Sequence, residues 1–222
     1  MVAAMEREVA PLIRNWQRRD IERDGRKYTL FVNGETSLIC SGIGPEAARR
    51  AAETVIQEMR PDRVLSVGFA GGLDPALSVG EVVEPQVVIN VGDGVRIETG
   101  SGEGTLVSFG AVAGREQKIK LRQAYSAAIV DMEAASVAQA AEVRHVAFSA
   151  LKVVSDDANT VLPPLQQFVS DEGTFRSARF ALYVAGRPWL WRTSIALARN
   201  SAKASRALSA AVERYLSMGA AS

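Results

Sequence analysis

The chain has one cysteine, Cys40, and one histidine, His145. A single cysteine forbids an intrachain disulfide. Its place in the apolar run Ser37-Leu38-Ile39-Cys40 predicts a buried strand thiol. So few thiols and imidazoles exclude zinc sites of the Cys/His type. A serine–histidine triad is excluded as well unless His145 lies in the site, and a lone histidine opening an apolar strand reads as structural. No metal and no cofactor is expected. No stretch approaches the roughly 20 apolar residues of a membrane span. The start, Met1-Val2-Ala3-Ala4-Met5-Glu6-Arg7-Glu8, turns acidic too early for a signal peptide, so a cytoplasmic protein is the expectation. Neither sign of charge dominates: 26 Lys and Arg against 25 Asp and Glu leave +1, which predicts neither nucleic acid nor an acidic partner.

What is there suits one domain spanning 1–222. The composition is 47% hydrophobic and 23% charged, enough for a full core. The charge is unevenly placed. From Gly173 to the end eight bases face one acid, Glu213, and the segment contains Trp189-Leu190-Trp191. A basic helical tail from about residue 165 is therefore expected. Bases with bulky aromatics on helices can contact a membrane surface. The preferred reading is a solvated face with the tryptophans in the core or a subunit interface.

Met1 to Ala4 reads as a strand stub, either truncated or unusually short, followed by a helix from about Glu6 to Arg18. Tyr28–Val32 and Ser37–Cys40 read as strands around an Asn33-Gly34 turn. Gly44-Pro45 opens a helix whose buried stripe is Ala48, Ala52, Val55, Ile56 and Met59. Strands are expected at Arg63–Phe69, Glu81–Val91 and Thr105–Ser108, with a loop over Gly92–Gly104 and a helix over Glu116–Ala124. After Pro163-Pro164 the pattern is helical. Strands alternate with helices, and several strands are apolar on both faces, which argues for an α/β sandwich around a largely parallel or mixed sheet.

Two segments stand out. Ile129-Val130-Asp131-Met132-Glu133-Ala134 and Ala150-Leu151-Lys152-Val153-Val154-Ser155-Asp156 are each an apolar strand ending in acids. Open α/β proteins hold ligands at the carboxyl ends of their strands. Paired carboxylates there suggest one acid gripping hydroxyls and another moving a proton. Glycine-rich turns follow two further strands, Ser41-Gly42-Ile43-Gly44 and Gly68-Phe69-Ala70-Gly71-Gly72, where backbone amides can approach a ligand. Gly42-x-Gly44-x-x-Ala47 imitates a dinucleotide fingerprint. That motif wants an acid at the end of the next strand, and Asp62 instead precedes it, so a dinucleotide-binding module is disfavoured.

Ala4-Met5-Glu6-Arg7-Glu8-Val9, Ser41-Gly42-Ile43-Gly44, Ala70-Gly71-Gly72-Leu73, Val130-Asp131-Met132-Glu133 and Ser155-Asp156-Asp157-Ala158-Asn159 stand in an order that resembles the nucleoside phosphorylase and nucleosidase family. Methylthioadenosine/S-adenosylhomocysteine nucleosidases look nearest. The motifs run from Ala4 to Asn159, about 70% of the chain. The resemblance implies a three-layer αβα sandwich around a mixed, largely parallel twisted sheet. It implies cleavage of the N-glycosidic bond of an adenine nucleoside, probed first as hydrolysis, with phosphorolysis as the alternative. Glu133 would hold the ribose hydroxyls, Met132 would lie against the sugar, Asp156 would act at N7, and Glu8 would orient or deprotonate the attacking water. Ser155, Phe69, Ala70 and Gly71 would line the site, with Val112 and Ala113 near the base. A homodimer or larger assembly is implied too.

The chemistry fits those residue types. A purine leaves poorly as an anion, and a carboxylic acid that protonates N7 makes it neutral. The ribose becomes oxocarbenium-like, and a carboxylate at its hydroxyls stabilises that charge. Glu8 beside the anomeric carbon favours water over phosphate, which it would repel. Phe69 departs from the family pattern, replacing a small hydroxyl residue. The Gly92–Gly104 loop lacks the family's histidine. The tail is more similar to hopanoid-associated phosphorylases, whose substrate is an adenosyl group joined to a lipid, and Phe69 with the tail would make an apolar path for such a 5′-substituent. A nucleoside-binding protein without turnover is a further alternative.

Overall fold

The computed structural model describes residues 1–170 and 173–219. Among the described residues eleven strands form one mixed sheet. The chain starts with β1 (Val2–Ala3), α1 (Glu6–Ile13), β2 (Gln17–Arg23), β3 (Arg26–Asn33), β4 (Thr36–Cys40) and α2 (Pro45–Met59). The middle is β5 (Arg63–Gly72), β6 (Val82–Val83), β7 (Val87–Asn90), β8 (Arg96–Glu98), β9 (Thr105–Ser108) and α3 (Arg115–Tyr125). Then come β10 (Ile129–Asp131), α4 (Ala134–Glu142), β11 (Ala147–Asp156), α5 (Ser177–Ala185) and α6 (Pro188–Gly219). The sheet order is β2-β3-β4-β1-β5-β10-β9-β7-β8, with β11 paired to β5 and β6.

Strand alternation sorts the core into layers. Val64, Ala150 and Val154 point to the α2 and α4 face, among Ala48, Ala52, Val55, Val137 and Ala141. Leu65, Val67, Leu151 and Val153 point to the opposite face, among Val9 and Leu12 of α1 and Leu208 and Val212 of α6. A third cluster, with Leu121 of α3, covers Val107 and Val130. The result is the three-layer αβα sandwich that the family resemblance implies.

The strand β5 is the pivot. Its one edge pairs with β11 in parallel from Arg63 to Gly71. Its other edge is shared. The two-residue β1 meets it at Ser66, and β10 meets it antiparallel at Gly71 and Gly72. Because β1 stops at Ala3, that edge is left for β10. The antiparallel turn then carries Asp131, Met132 and Glu133 back along β5 toward the end of β1.

Several local expectations change. The helix expected to Arg18 ends at Ile13, and Gln17–Arg23 is an edge strand on β3. Its charges are mostly exposed and show no alternation, so nothing in the pattern marks a strand. The strand expected over Glu81–Val91 divides at Pro85: β6 pairs with β11, and β7 pairs with β8 and β9. The Gly92–Gly104 loop contains β8. The buried Thr99 hydroxyl pins its return, donating toward Pro85 O and Ser101 O, each at 2.7 Å. Cys40 is half-buried rather than buried, because it ends β4 instead of lying within it, and burial pushes its thiol up to about 12. His145 is exposed at the turn after α4, with φ 55°. Among the described residues no helix is long and apolar enough to cross a membrane.

Candidate active site

The ends of β1, β4, β5, β10 and β11 converge on a cavity of about 470 Å³. The residues to which the family resemblance gives a site role all line it: Glu8, Phe69, Ala70, Gly71, Val112, Ala113, Met132, Glu133, Ser155 and Asp156.

Glu133 is carried to the site by β10. Its Oε1 accepts the Gly44 amide at 2.7 Å and its Oε2 the Met132 amide at 3.2 Å. Gly44 precedes Pro45 at the start of α2 and has φ 102°, a backbone state suited to glycine. The carboxyl therefore sits at the positive end of a 15-residue helix. Burial still pushes it up to about 7, helped by Asp131 and opposed by Lys152 and the two amides.

Glu8 stands on the first turns of α1 and is only 4% exposed. Burial first, then the neighbouring Glu133, raises it to about 8 against the pull of Lys152 and Arg7. Its Oε2 is buried without a hydrogen-bond partner among the described residues. A Cβ placed on Gly68 would lie 2.9 Å from that oxygen, so glycine at this position makes room for the carboxyl. Two buried carboxyls that repel each other hold protons above the ordinary carboxyl range. A cation arriving between them would restore both charges.

Beneath this pair runs a buried polar layer. Lys152 Nζ lies 2.9 Å from Asp131 Oδ2 and donates to Ser66 Oγ at 3.0 Å. Asp131 accepts the Ser108 hydroxyl at 2.6 Å and the Ala134 amide at 2.9 Å. Asp131 is thus held by three donors and anchors the β10–α4 turn that aims Glu133.

Asp156 ends β11. Its Oδ1 accepts the Ser155 hydroxyl at 2.6 Å, and its Oδ2 pairs with Lys118 Nζ at 2.5 Å. Lys118 reaches in from α3 and also donates to Asp157 O at 2.6 Å; its side chain is 2% exposed. Gly71 allows this approach, since a Cβ there would meet Lys118 Cε at 3.1 Å and Asp156 Oδ2 at 3.2 Å. Opposite the polar groups, Leu162, Leu165, Phe175, Phe180 and Leu197 form an apolar wall. Arg7 stacks 4.9 Å over the Phe175 ring.

Lys118 and Lys152 have no part in the sequence-based reading. Lys152 left a trace, a lysine amid the apolar Ala150–Val154 of a strand buried on both faces. Lys118 left less: it lies three residues before Leu121, on the buried stripe of a polar helix. Among the described residues, no cluster of three or more His, Cys, Asp or Glu could hold a metal ion.

Comparison with known proteins agrees with this architecture. The chain is similar to the 5′-methylthioadenosine/S-adenosylhomocysteine nucleosidase of Neisseria meningitidis, solved with methylthio-immucillin-A. Identity is 20% over 94% of this chain and 93% of that one, with a TM-score of 0.68. The nucleosidase of the same name from Helicobacter pylori, solved with butyl-thio-DADMe-Immucillin-A, is 19% identical over 96% of each chain, with a TM-score of 0.66. Futalosine hydrolase of Helicobacter pylori is 21% identical over 70% of this chain and 85% of that one, with a TM-score of 0.60. At such identities the likeness is one of fold. The sequence profile of the phosphorylase superfamily matches residues 1–113 and 92–184, most of the chain's length, and the protein belongs to that superfamily.

Proposed function

We propose that the protein hydrolyses the N-glycosidic bond of a purine nucleoside, adenine being the expected base, that carries a substituent at its 5′ position. One observation carries this reading: a single cavity holds both the mutually repelling Glu8–Glu133 pair and the Ser155–Asp156–Lys118 group. Glu8 approaches Gly68 and Asp156 approaches Gly71. Three residues along β5 are about 10 Å at 3.3 Å per residue, the scale of a nucleoside.

In this reading Glu133 accepts hydrogen bonds from the ribose hydroxyls while the Gly44 and Met132 amides fix its carboxyl. Met132 and Phe69 lie against the sugar, Ala70 and Gly71 form the floor, and Val112 and Ala113 border the base. Positive charge developing on the ribose draws both glutamates into their ionised forms. Glu8 then takes a proton from water as the oxygen bonds to the anomeric carbon. The departing base takes a proton at N7 through Asp156, which Ser155 orients and Lys118 supplies. The C–N bond electrons stay with the base, which leaves neutral. The apolar wall suits a greasy 5′-substituent, of which the lipid-linked adenosyl group suggested by the tail is one case. The chain acts as one domain, with the tail from about residue 165 closing the cavity.

A specific feature favours phosphorolysis as the second reading. A polar cavity of about 560 Å³, lined by Arg26, Lys27, Arg50 and Ser41, shares Ile43 and Met132 with the first. Adenine release from 5′-substituted adenosines decides between them. Release without phosphate is the expected result. Strict phosphate dependence would make the protein a phosphorylase, and binding without release would refute turnover altogether. Asp156→Asn should lower kcat about 10²- to 10⁴-fold while leaving nucleoside binding nearly intact.

A further inference from the structure

The two halves of α6 are packed differently. From Ala204 onward it buries Ala204, Ser205, Leu208, Ser209, Ala211 and Val212, on the side of α1 and β11. Between Pro188 and Lys203 no residue is fully buried, and α5 has no buried residue either. Trp191 Nε1 donates to Val184 O at 3.0 Å, and Arg187 stacks 3.8 Å from the Tyr183 ring centre, joining the two helices into a hairpin. Pro188 to Lys203 makes about 24 Å of helix at 1.5 Å per residue. The inner face of this length, Ser194, Leu197, Ala198 and Ser201, lines the candidate active-site cavity.

The outer face is unusual for a surface in water. Leu182 is 75% exposed, Trp189 73% and Ile195 53%; Trp191, about 200° around the helix from Trp189, lies on the flank that meets α5. Bases interleave with them: Arg176, Arg179, Arg192, Arg199 and Lys203. Among the described residues none of these five is ion-paired. No acid occurs between Gly173 and Val212.

We propose that the α5–α6 hairpin docks on a lipid bilayer containing anionic lipid, with Leu182, Trp189 and Ile195 set into the headgroup boundary. Indoles favour that boundary because an apolar ring carries one polar N–H. Arginines around them are drawn to anionic headgroups. A second copy of the chain fits poorly. A two-fold interface sets a patch against itself, and here it would oppose unpaired bases to unpaired bases with no acid to answer them. A nucleic acid would match the bases but leave exposed leucine and isoleucine unexplained. The family profile ends at residue 184, so α6 lies beyond what the superfamily match covers. Docking would hold the cavity's α6 wall at the bilayer surface.

The test is co-sedimentation of the full chain with vesicles, independent of any turnover. Vesicles of phosphatidylcholine with about one third phosphatidylglycerol should carry the protein down, and pure phosphatidylcholine should not. Salt near 0.5 M should release most of it, since screening at that strength shortens the reach of surface charges to a few ångströms. The triple variant Arg179→Gln, Arg192→Gln, Arg199→Gln should weaken binding about a hundredfold, roughly fivefold per charge. Trp189→Ser with Ile195→Ser should weaken it at least tenfold, with helix content by circular dichroism unchanged. The proposal is overturned if neither vesicle carries the protein down, or if both variants bind as the parent does. It is overturned equally if heparin retains the protein while vesicles do not, or if the Trp189→Ser, Ile195→Ser variant splits a dimer in sedimentation velocity without any loss of vesicle binding.

Discussion

Replacing Lys118 with methionine separates the stability and the chemistry of the Asp156 pair. The lysine side chain is 2% exposed and that of Asp156 10%, and they meet at 2.5 Å. Methionine keeps the length and apolar stem of lysine and deletes the charge. Removing one partner of a buried ion pair costs about 3–5 kcal/mol, because the other charge stays behind uncompensated. For a chain of 222 residues that corresponds to a drop in Tm of roughly 6–20 °C. Asp156 keeps only the Ser155 hydroxyl and escapes the penalty by taking up a proton. The variant should therefore retain some adenine release at acidic pH, where Asp156 is a neutral acid, and lose about 10²-fold or more above neutrality. Adding Asp156→Asn removes both charges, which should recover most of the lost Tm and none of the activity. The measurements are thermal melts of the parent, both single variants and the double variant, with kcat/KM against pH for each. A Lys118→Met enzyme with an unchanged pH profile would refute the role assigned to the lysine. A double variant that melts no higher than Lys118→Met would refute the ion-pair account.

Other outcomes follow from the same geometry. Glu8 and Glu133 titrate near 8 and 7 in the fold, above the usual carboxyl value near 4.5, so the folded state holds protons the unfolded chain has lost. Their contribution to stability is full below about pH 4.5 and drains away as pH rises toward 8. Melts of the ligand-free protein should show Tm falling across that window, and Glu8→Gln should flatten the fall; a Tm that rises from pH 5 to 8 in both would contradict it. Gly68→Ala should cost at least tenfold in kcat/KM, since its methyl would enter the space of Glu8 Oε2 at 2.9 Å, and full activity there would remove Glu8 from the mechanism.

The sequence makes legible whatever is local. Acids that end apolar strands, as at Asp131-Met132-Glu133 and Ser155-Asp156, announce a carboxyl edge, and glycines such as Gly68 and Gly71 announce close approach. What tertiary contact decides is hidden. Lys118 sits in a helix of mostly solvated residues, and only folding brings α3 against the end of β11. The edge strand β2 is a run of charges whose pairing with β3 is set by a hairpin rather than by burial. Pro85 divides β6 from β7, but their separate destinations depend on which neighbouring edges are vacant. Phe69 is readable as a departure from the family pattern, and it lines the cavity; the breadth of the apolar wall around it is not readable, because Leu162, Phe175 and Leu197 come from three unrelated segments.

The brevity of β1 has a consequence for how this enzyme class can vary. A strand has two sides for pairing, and β11 occupies one side of β5 from Arg63 to Gly71. Were the first strand to grow by three or four residues, it would claim the ladder positions that β10 now uses, and Glu133 would be displaced without any change to its own segment. Insertions near Ala4 should thus be tolerated far less well than their distance in sequence from Glu133 suggests, and diversification of the site is confined to side chains while the opening strand stays short.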